Sequence, residues 1–298
     1  MAGVAQRGTG LMGWAEAPTA HLAQDGRLRL IHGPIDLIVT AEGPAPAVAQ
    51  AHARARAAFA PLLAELAAEL PRLRSPHGPA PQGAVARRMV AVTAPFAPIF
   101  VTPMAAVAGA VADFVLAALL PPGHGLTRAH VNNGGDIALW TGTTPLRLMV
   151  CEDPLRRAPG ARASIAPGDG VGGVATSGWR GRSQSLGIAD AVTVLARSAA
   201  EADAAATLIA NAVDLPGHAA ITRQPADLQS PDSDLGSRAV TTDVGALTEA
   251  EIAQALDRGE ARAAEFTHRG LIRACCLALG GQRRILGPSL ERLDLTHA

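Results

Sequence analysis

The sequence predicts an α+β fold: two related halves of largely antiparallel sheet with helices packed on them. Three observations carry this. Strand and helix patterns do not alternate strictly, which argues against a parallel doubly wound sheet. A run of strand, helix and paired strands precedes about residue 155, and a similar run follows it. Residues 172–213 read as loop, strand and helix, and the rest of the chain is organised around them.

In that stretch the loop carries Thr176, Ser177, Arg180 and Arg182 among five glycines. The strand is residues 191–196, with the β-branched run Val192-Thr193-Val194. Ser198 and Glu201 form a capping box that opens the helix. Ala202, Ala205, Ala206, Ile209, Ala212 and Val213 make its buried stripe. Asp203, Thr207 and Asn211 lie at i, i+4 and i+8, one narrow polar row. A carboxylate and a hydroxyl one turn apart, facing a glycine-rich loop, suit a hard cation such as Mg²⁺. The same row is also what an ordinary solvated helix face presents.

The other elements follow in order. Residues 27–40 predict two short strands joined at His32-Gly33-Pro34. Residues 45–70 carry apolar positions at helical spacing, with a kink expected at Pro61. A Pro-rich loop at 71–83 precedes an expected strand at 89–93. Thr102 and Pro103 mark a helix start, and Pro121-Pro122-Gly123 its end. Residues 130–139 read as a strand whose paired asparagines and glycines signal a bulge or a close approach to a ligand. A strand at 146–151 and a Gly/Pro loop at 158–173 complete the first part. Residues 214–237 read as irregular; Asp232-Ser233-Asp234 lacks the later ligands of a calcium loop. Thr248 and Glu251 form a capping box for a helix to about residue 266, and a last helix is expected over 269–279.

Composition narrows the function classes. The 298 residues are 48% hydrophobic but only 3% aromatic, so the core must be aliphatic. All 26 basic residues are arginine, which removes lysine as catalytic base, Schiff-base former or phosphate ligand. Zero formal charge without a basic block excludes nucleic acid and anionic membrane as expected partners. Cys151, Cys275 and Cys276 have no framework spacing, so a reducing compartment, the cytoplasm, is expected. The N-terminus lacks the pattern of a secretory leader. The apolar run 101–120 carries Asp113 and Pro103 and is expected as a buried small-residue helix rather than a membrane span. Nine scattered histidines show no zinc spacing.

Three segments together resemble the FAD:protein FMN transferase (ApbE) family, most closely its ApbE-like branch. They are MAAVAGAVAD at 104–113, VNNGGDIAL at 131–139, and ATSG, IADAVTV and ADAAAT within 175–207. The resemblance implies an ApbE-like, T-fold-like domain over residues 27–285, with residues 1–26 loosely ordered and 286–298 a tail. It implies FAD and Mg²⁺ as cofactors and transfer of FMN to a threonine of a protein acceptor. Asp203, Thr207 and the carbonyl of Val107 match its metal ligands. Met104, Gly109, Asn133, Gly134, Gly135, Asp136, Thr176, Ser177 and Gly178 match positions lining its nucleotide site. Asp190 and Arg180 are the candidate catalytic residues. Ala108 stands where that family has lysine, and Gly187 where it has histidine. The expected function is therefore Mg²⁺-dependent flavin-nucleotide binding, with transfer weak or absent. A non-catalytic nucleotide-binding module is the alternative, and a homo-oligomeric state is left open.

Overall fold

The computed structural model describes residues 16–153, 158–288 and 290–292. Its strands run from β1 (Thr19–Leu22) to β14 (Leu290–Arg292), and nine of them form one antiparallel sheet that repeats a single plan. In the first half, β2 (Leu28–His32) and β3 (Ile35–Glu42) form a hairpin, and β4 (Arg128–Asn133) and β5 (Asp136–Trp140) form another beside it. In the second half, β8 (Gly173–Ser177) pairs with β9 (Ala191–Ala196), and β9 with the hairpin of β12 (Ala274–Leu279) and β13 (Gln282–Leu286). Helices are inserted between the two strand pairs of each half. The α+β fold with two related antiparallel halves is thus as the sequence predicts.

The halves meet at β5 and β8 through two residue pairs, Ile137↔Val174 and Ala138↔Gly173. Beyond them the Asp136 carboxylate accepts the Thr176 N–H at 3.2 Å, where a longer ladder would have placed a carbonyl. This open seam positions the site described below.

The first helical insertion holds α1 (Ala45–Phe59), α2 (Leu62–Ala68), α3 (Leu70–Leu73), α4 (Ala84–Thr93) and α5 (Val107–Leu119). The break expected at Pro61 separates α1 from α2. A 3-10 turn at Pro103–Ala106 leads into α5, which buries Ala110, Val111, Val115 and Leu119. Among the described residues no helix is long and apolar enough to cross a membrane. The second insertion holds α6 (Ala199–Ala212), α7 (Ala226–Gln229) and α8 (Glu249–His268).

Glycines seat α6 against its neighbours. A methyl at Gly109 would lie 2.3 Å from the Ala199 carbonyl oxygen, and one at Gly173 would lie 2.0 Å from the Ala199 nitrogen. The first turn of α6 is therefore buried between α5 and β8, and its free N–H groups need acceptors. Ser198 Oγ accepts the Glu201 N–H at 3.2 Å, and Asp113 accepts those of Ala199 and Ala200, each at 3.0 Å. The box expected at Ser198 is only half formed, because the Glu201 carboxylate pairs with Arg197 at 2.9 Å instead. The box at Thr248 and Glu251 is complete.

A second layer covers the other face of the second half. β6 (Leu146–Asp153), β7 (Ala158–Ile165) and β14 form a three-stranded sheet. Leu146, Val150 and Ile165 pack there with Val174, Leu195 and Cys276. A two-stranded ribbon of β10 (Ile221–Pro225) and β11 (Ala239–Val244) lies within the second insertion.

Several expectations are corrected. Residues 89–93 are the end of helix α4, not a strand: Val85, Ala86, Met89 and Thr93 are buried at helical spacing, and Thr93 Oγ1 donates to the Met89 carbonyl at 2.9 Å. Residues 130–139 form the β4–β5 hairpin rather than one bulged strand. Asn133 pairs with Asp136 across Gly134 and Gly135, whose φ values of 68° and 120° favour glycine. Residues 158–165 are strand β7, not loop; Ala161, Ala163 and Ile165 alternate inward. Residues 274–279 are strand β12, not helix, and every one is buried, so no period marks the element. The irregular stretch 214–237 contains β10 and α7. The sheet begins with β1 inside the segment expected to be loosely ordered, and β14 pairs with β7 inside the expected tail. Residues 1–15 and 293–298 lie outside the described residues.

Candidate functional site

At the open seam lies a cavity of about 950 Å³. Its polar end is built from two turns. The β4–β5 turn presents Asn133, Gly134, Gly135 and Asp136; the end of β8 presents Thr176, Ser177 and Gly178. The start of α5 contributes Met104, Val107 and Ala108, and the loop after β8 contributes Arg180, Arg182 and Asp190. Leu148, Met149 and Val150 of β6 and Ile137 and Val174 of the large sheet make an apolar wall. A cavity of this size with a polar end and an apolar wall suits a ligand the size of a nucleotide.

The turns are held in place by side chains. Asn132 Oδ1 accepts the Gly135 N–H at 2.9 Å, and Asn133 Nδ2 donates to the Ala108 carbonyl at 3.1 Å. That second bond ties the β4–β5 turn to α5. Thr176 and Thr193 share a hydroxyl hydrogen bond at 2.8 Å.

Asp203, Gly109 and Thr207 stand just behind the lining. Asp203 reaches from α6 to accept the Gly109 N–H at 3.0 Å. Its carboxyl is pushed well above the usual range by burial first, and then by the charge of Asp136. Burial likewise raises Asp136, against the opposing effects of the Thr176 N–H and the Arg182 charge. Two half-buried carboxylates thus lie where the charge of Asp136 acts on Asp203, an arrangement that a cation would relieve. Thr207 lies one turn further along α6, and its hydroxyl makes no hydrogen bond among the described residues. No group of three or more acidic, histidine or cysteine side chains fit for a metal occurs among the described residues. A cation here would have to complete its shell from a hydroxyl, backbone carbonyls, water and ligand phosphates, as Mg²⁺ does.

Asp190 has little freedom. Arg180 Nε donates to one of its oxygens at 2.6 Å and the Gly280 N–H to the other at 2.7 Å. Both oxygens are engaged, which suits holding Arg180 in place. Arg180 also lies 4.5 Å over the Trp179 ring. Asn211, the third member of the polar row, serves elsewhere: its Oδ1 accepts the Leu186 N–H at 2.9 Å and clamps the loop at the far end of α6.

The two departures from the resembled family have different surroundings. Ala108 lines the cavity, so a longer side chain there would enter it. At Gly187 a Cβ would lie 2.1 Å from the Ala210 carbonyl oxygen, so no side chain fits. Sequence reasoning missed Asn132, Thr193 and the β6 wall. Asn132 and Thr193 differ from neighbours already singled out only in which way they face. The β6 wall reaches the seam through sheet packing that no local pattern records.

The chain is similar to several known proteins. An UPF0280 protein of Methanothrix thermoacetophila is 40% identical over 124 residues, covering 38% of this chain and 46% of that protein. One of Methanocella arvoryzae is 38% identical over 137 residues, covering 45% of this chain and 53% of that protein. The chain thus spans about half the length of the curated relatives it matches. The apo form of Pseudomonas stutzeri flavinyl transferase ApbE aligns with 91% of this chain and 95% of its own at 14% identity, with a TM-score of 0.43. The Vibrio cholerae flavin transferase ApbE aligns with 91% and 96% at 14% identity, with a TM-score of 0.41. The sequence profile described as AbpE bacteria matches residues 19–285, nearly the whole described chain, and the protein belongs to that ApbE-like family.

Proposed function

We propose that the cavity binds a flavin nucleotide, FAD, together with Mg²⁺, and that transfer of FMN to a protein acceptor is slow or absent. The observation that carries this reading is the Asp136–Asp203 pair, two half-buried carboxylates, Asp136 lining the polar end of a nucleotide-sized cavity and Asp203 just behind it, where the charge of Asp136 acts on it. Bound there, Mg²⁺ would neutralise charge on a diphosphate.

The chain's own groups have separable roles in this reading. Asp203, fixed by the Gly109 N–H, and Asp136, fixed by the Thr176 N–H, are the anionic cation ligands. Thr207 and the Val107 carbonyl complete the protein's share. The glycine turns let backbone approach the phosphates, and Gly178 has a backbone that no Cβ could enter, 2.5 Å from the Asp190 carbonyl oxygen. Arg180, held by Asp190, and Arg182 supply positive charge. The apolar wall around Leu148 and Val150 would pack against a planar ring. A cytoplasmic location suits the buried Cys275 thiol, which forms no disulfide.

Slow transfer follows from what the cavity lacks. Ala108 offers no cation where the resembled family has lysine, and Gly187 has no room for a ring. Asp190, with both oxygens engaged, is a poor general base. The test incubates the protein with FAD, Mg²⁺ and a threonine-containing acceptor, and follows AMP release and covalent flavin. FAD bound without appreciable AMP release is the expected result. Rapid AMP release lost in Asp203→Ala would show an active transferase instead.

A further inference from the structure

A second cavity, of about 380 Å³, lies on the other side of the β4–β5 turn. Arg27, Arg29 and Arg182 line it, with Asp36 as the one carboxylate among the described residues that line it. The two cavities share Asn132, Gly134, Gly135 and Arg182. The double-glycine turn is therefore a thin partition with a ligand-sized space on each face.

The arginines are placed rather than loose. Arg29 grips Asp36 through two hydrogen bonds of 2.9 and 2.6 Å, and Arg27 grips Asp25 at 2.7 Å. Each guanidinium carries five N–H donors, so both keep donors for another acceptor. Arg182 makes no hydrogen bond or ion pair among the described residues. Its head lies against the partition, since a Cβ on Gly134 would come within 2.1 Å of its Nη2. Its charge acts both on Asp36 in the second cavity and on Asp136 in the first. Three arginines lining one concave space are matched to an oxyanion, which takes bidentate hydrogen bonds.

We propose that this second cavity is an oxyanion subsite for the phosphate or carboxylate of a second ligand, coupled to the nucleotide cavity through Arg182. An oxyanion drawing Arg182 to its side takes positive charge from the nucleotide side. The coupling is thus antagonistic, and by linkage reciprocal. Only the coupling rests on the nucleotide reading; the subsite itself does not.

The test titrates inorganic phosphate into the full-length, nucleotide-free protein by calorimetry, with acetate at equal ionic strength as the carboxylate arm. Saturable binding is expected. Arg29→Gln and Arg27→Gln should each weaken it at least tenfold, and Asp36→Asn, which removes the lining carboxylate, should tighten it. Tighter binding of phosphate assigns a phosphate ligand; tighter binding of acetate assigns a carboxylate. Phosphate should also weaken FAD binding, and Arg29→Gln should abolish that effect. Phosphate affinity unchanged in both arginine variants overturns the proposal, as does no binding of either anion. Competition with FAD that persists at full strength in Arg29→Gln places phosphate in the nucleotide cavity and also overturns it. Arginine-dependent phosphate binding in a protein that takes no FAD upholds the subsite and removes the nucleotide reading alone.

Discussion

The Asp113 carboxylate on α5 accepts the Ala199 N–H that opens α6, at 3.0 Å. The same carboxylate takes the Ala200 N–H and the Arg88 guanidinium, at 3.0 and 2.9 Å. One buried acid thus fastens the helix that carries Asp203 to the helix that frames the cavity. Asp113→Ala should destabilise the fold by about 3 kcal/mol, because it leaves the buried Ala199 and Ala200 N–H donors without their acceptor. Denaturant unfolding of the variant checks this.

Gly109 is where α5 and α6 come closest. Gly109→Ala places a methyl 2.3 Å from the Ala199 carbonyl oxygen, so the helices must separate. A loss of about 1–3 kcal/mol is expected from the overpacking. Because the Gly109 N–H also holds Asp203, Mg²⁺-dependent binding should weaken even where the variant remains folded. Thermal unfolding and a nucleotide titration on the same sample separate the two effects.

Acid should loosen the α8 cap. The Thr248 N–H, with His218 and the Thr248 hydroxyl, holds the Glu251 carboxyl down at about 2, below its ordinary 4.5. A carboxyl lowered in the folded state adds stability above its unfolded value, and that stability fades as pH falls from 4.5 toward 2. Glu251→Gln should flatten the stability profile across this window and leave its shape at neutral pH alone. Unfolding midpoints measured from pH 6 to pH 3 decide it.

Ala108 faces the cavity at the position where the resembled family carries lysine. Ala108→Lys should raise AMP release from FAD, by up to about a hundredfold if one charge-stabilising donor is restored. An unchanged rate in a variant that still binds FAD would separate the loss of transfer from this position.

The elements that the sequence displays are those with one buried face. β2 and β3 alternate, α1 repeats at helical spacing, and the caps at Ser198 and Thr248 mark their helices. β12 gives no such signal because all six of its residues are buried. β7 alternates through alanines, which carry little hydrophobic contrast. At the site, Asp203, the glycine turn and the Thr176 loop are recognisable because chemistry restricts their residue types. The reach of the Asp136 charge to Asp203 is not, since it depends on two halves of a sheet parting after two residue pairs. The second task of Asp113, capping another helix, likewise exists only after α5 and α6 pack.

The most direct test of the account is a fluorescence titration of the protein with FAD, with Mg²⁺ and with EDTA, in wild type and Asp203→Asn. The account predicts FAD binding that weakens by roughly tenfold or more on chelation, and an Asp203→Asn variant, folded by circular dichroism, that binds weakly and no longer responds to Mg²⁺. FAD binding indifferent to both Mg²⁺ and Asp203, or no FAD binding under any of these conditions, would contradict it.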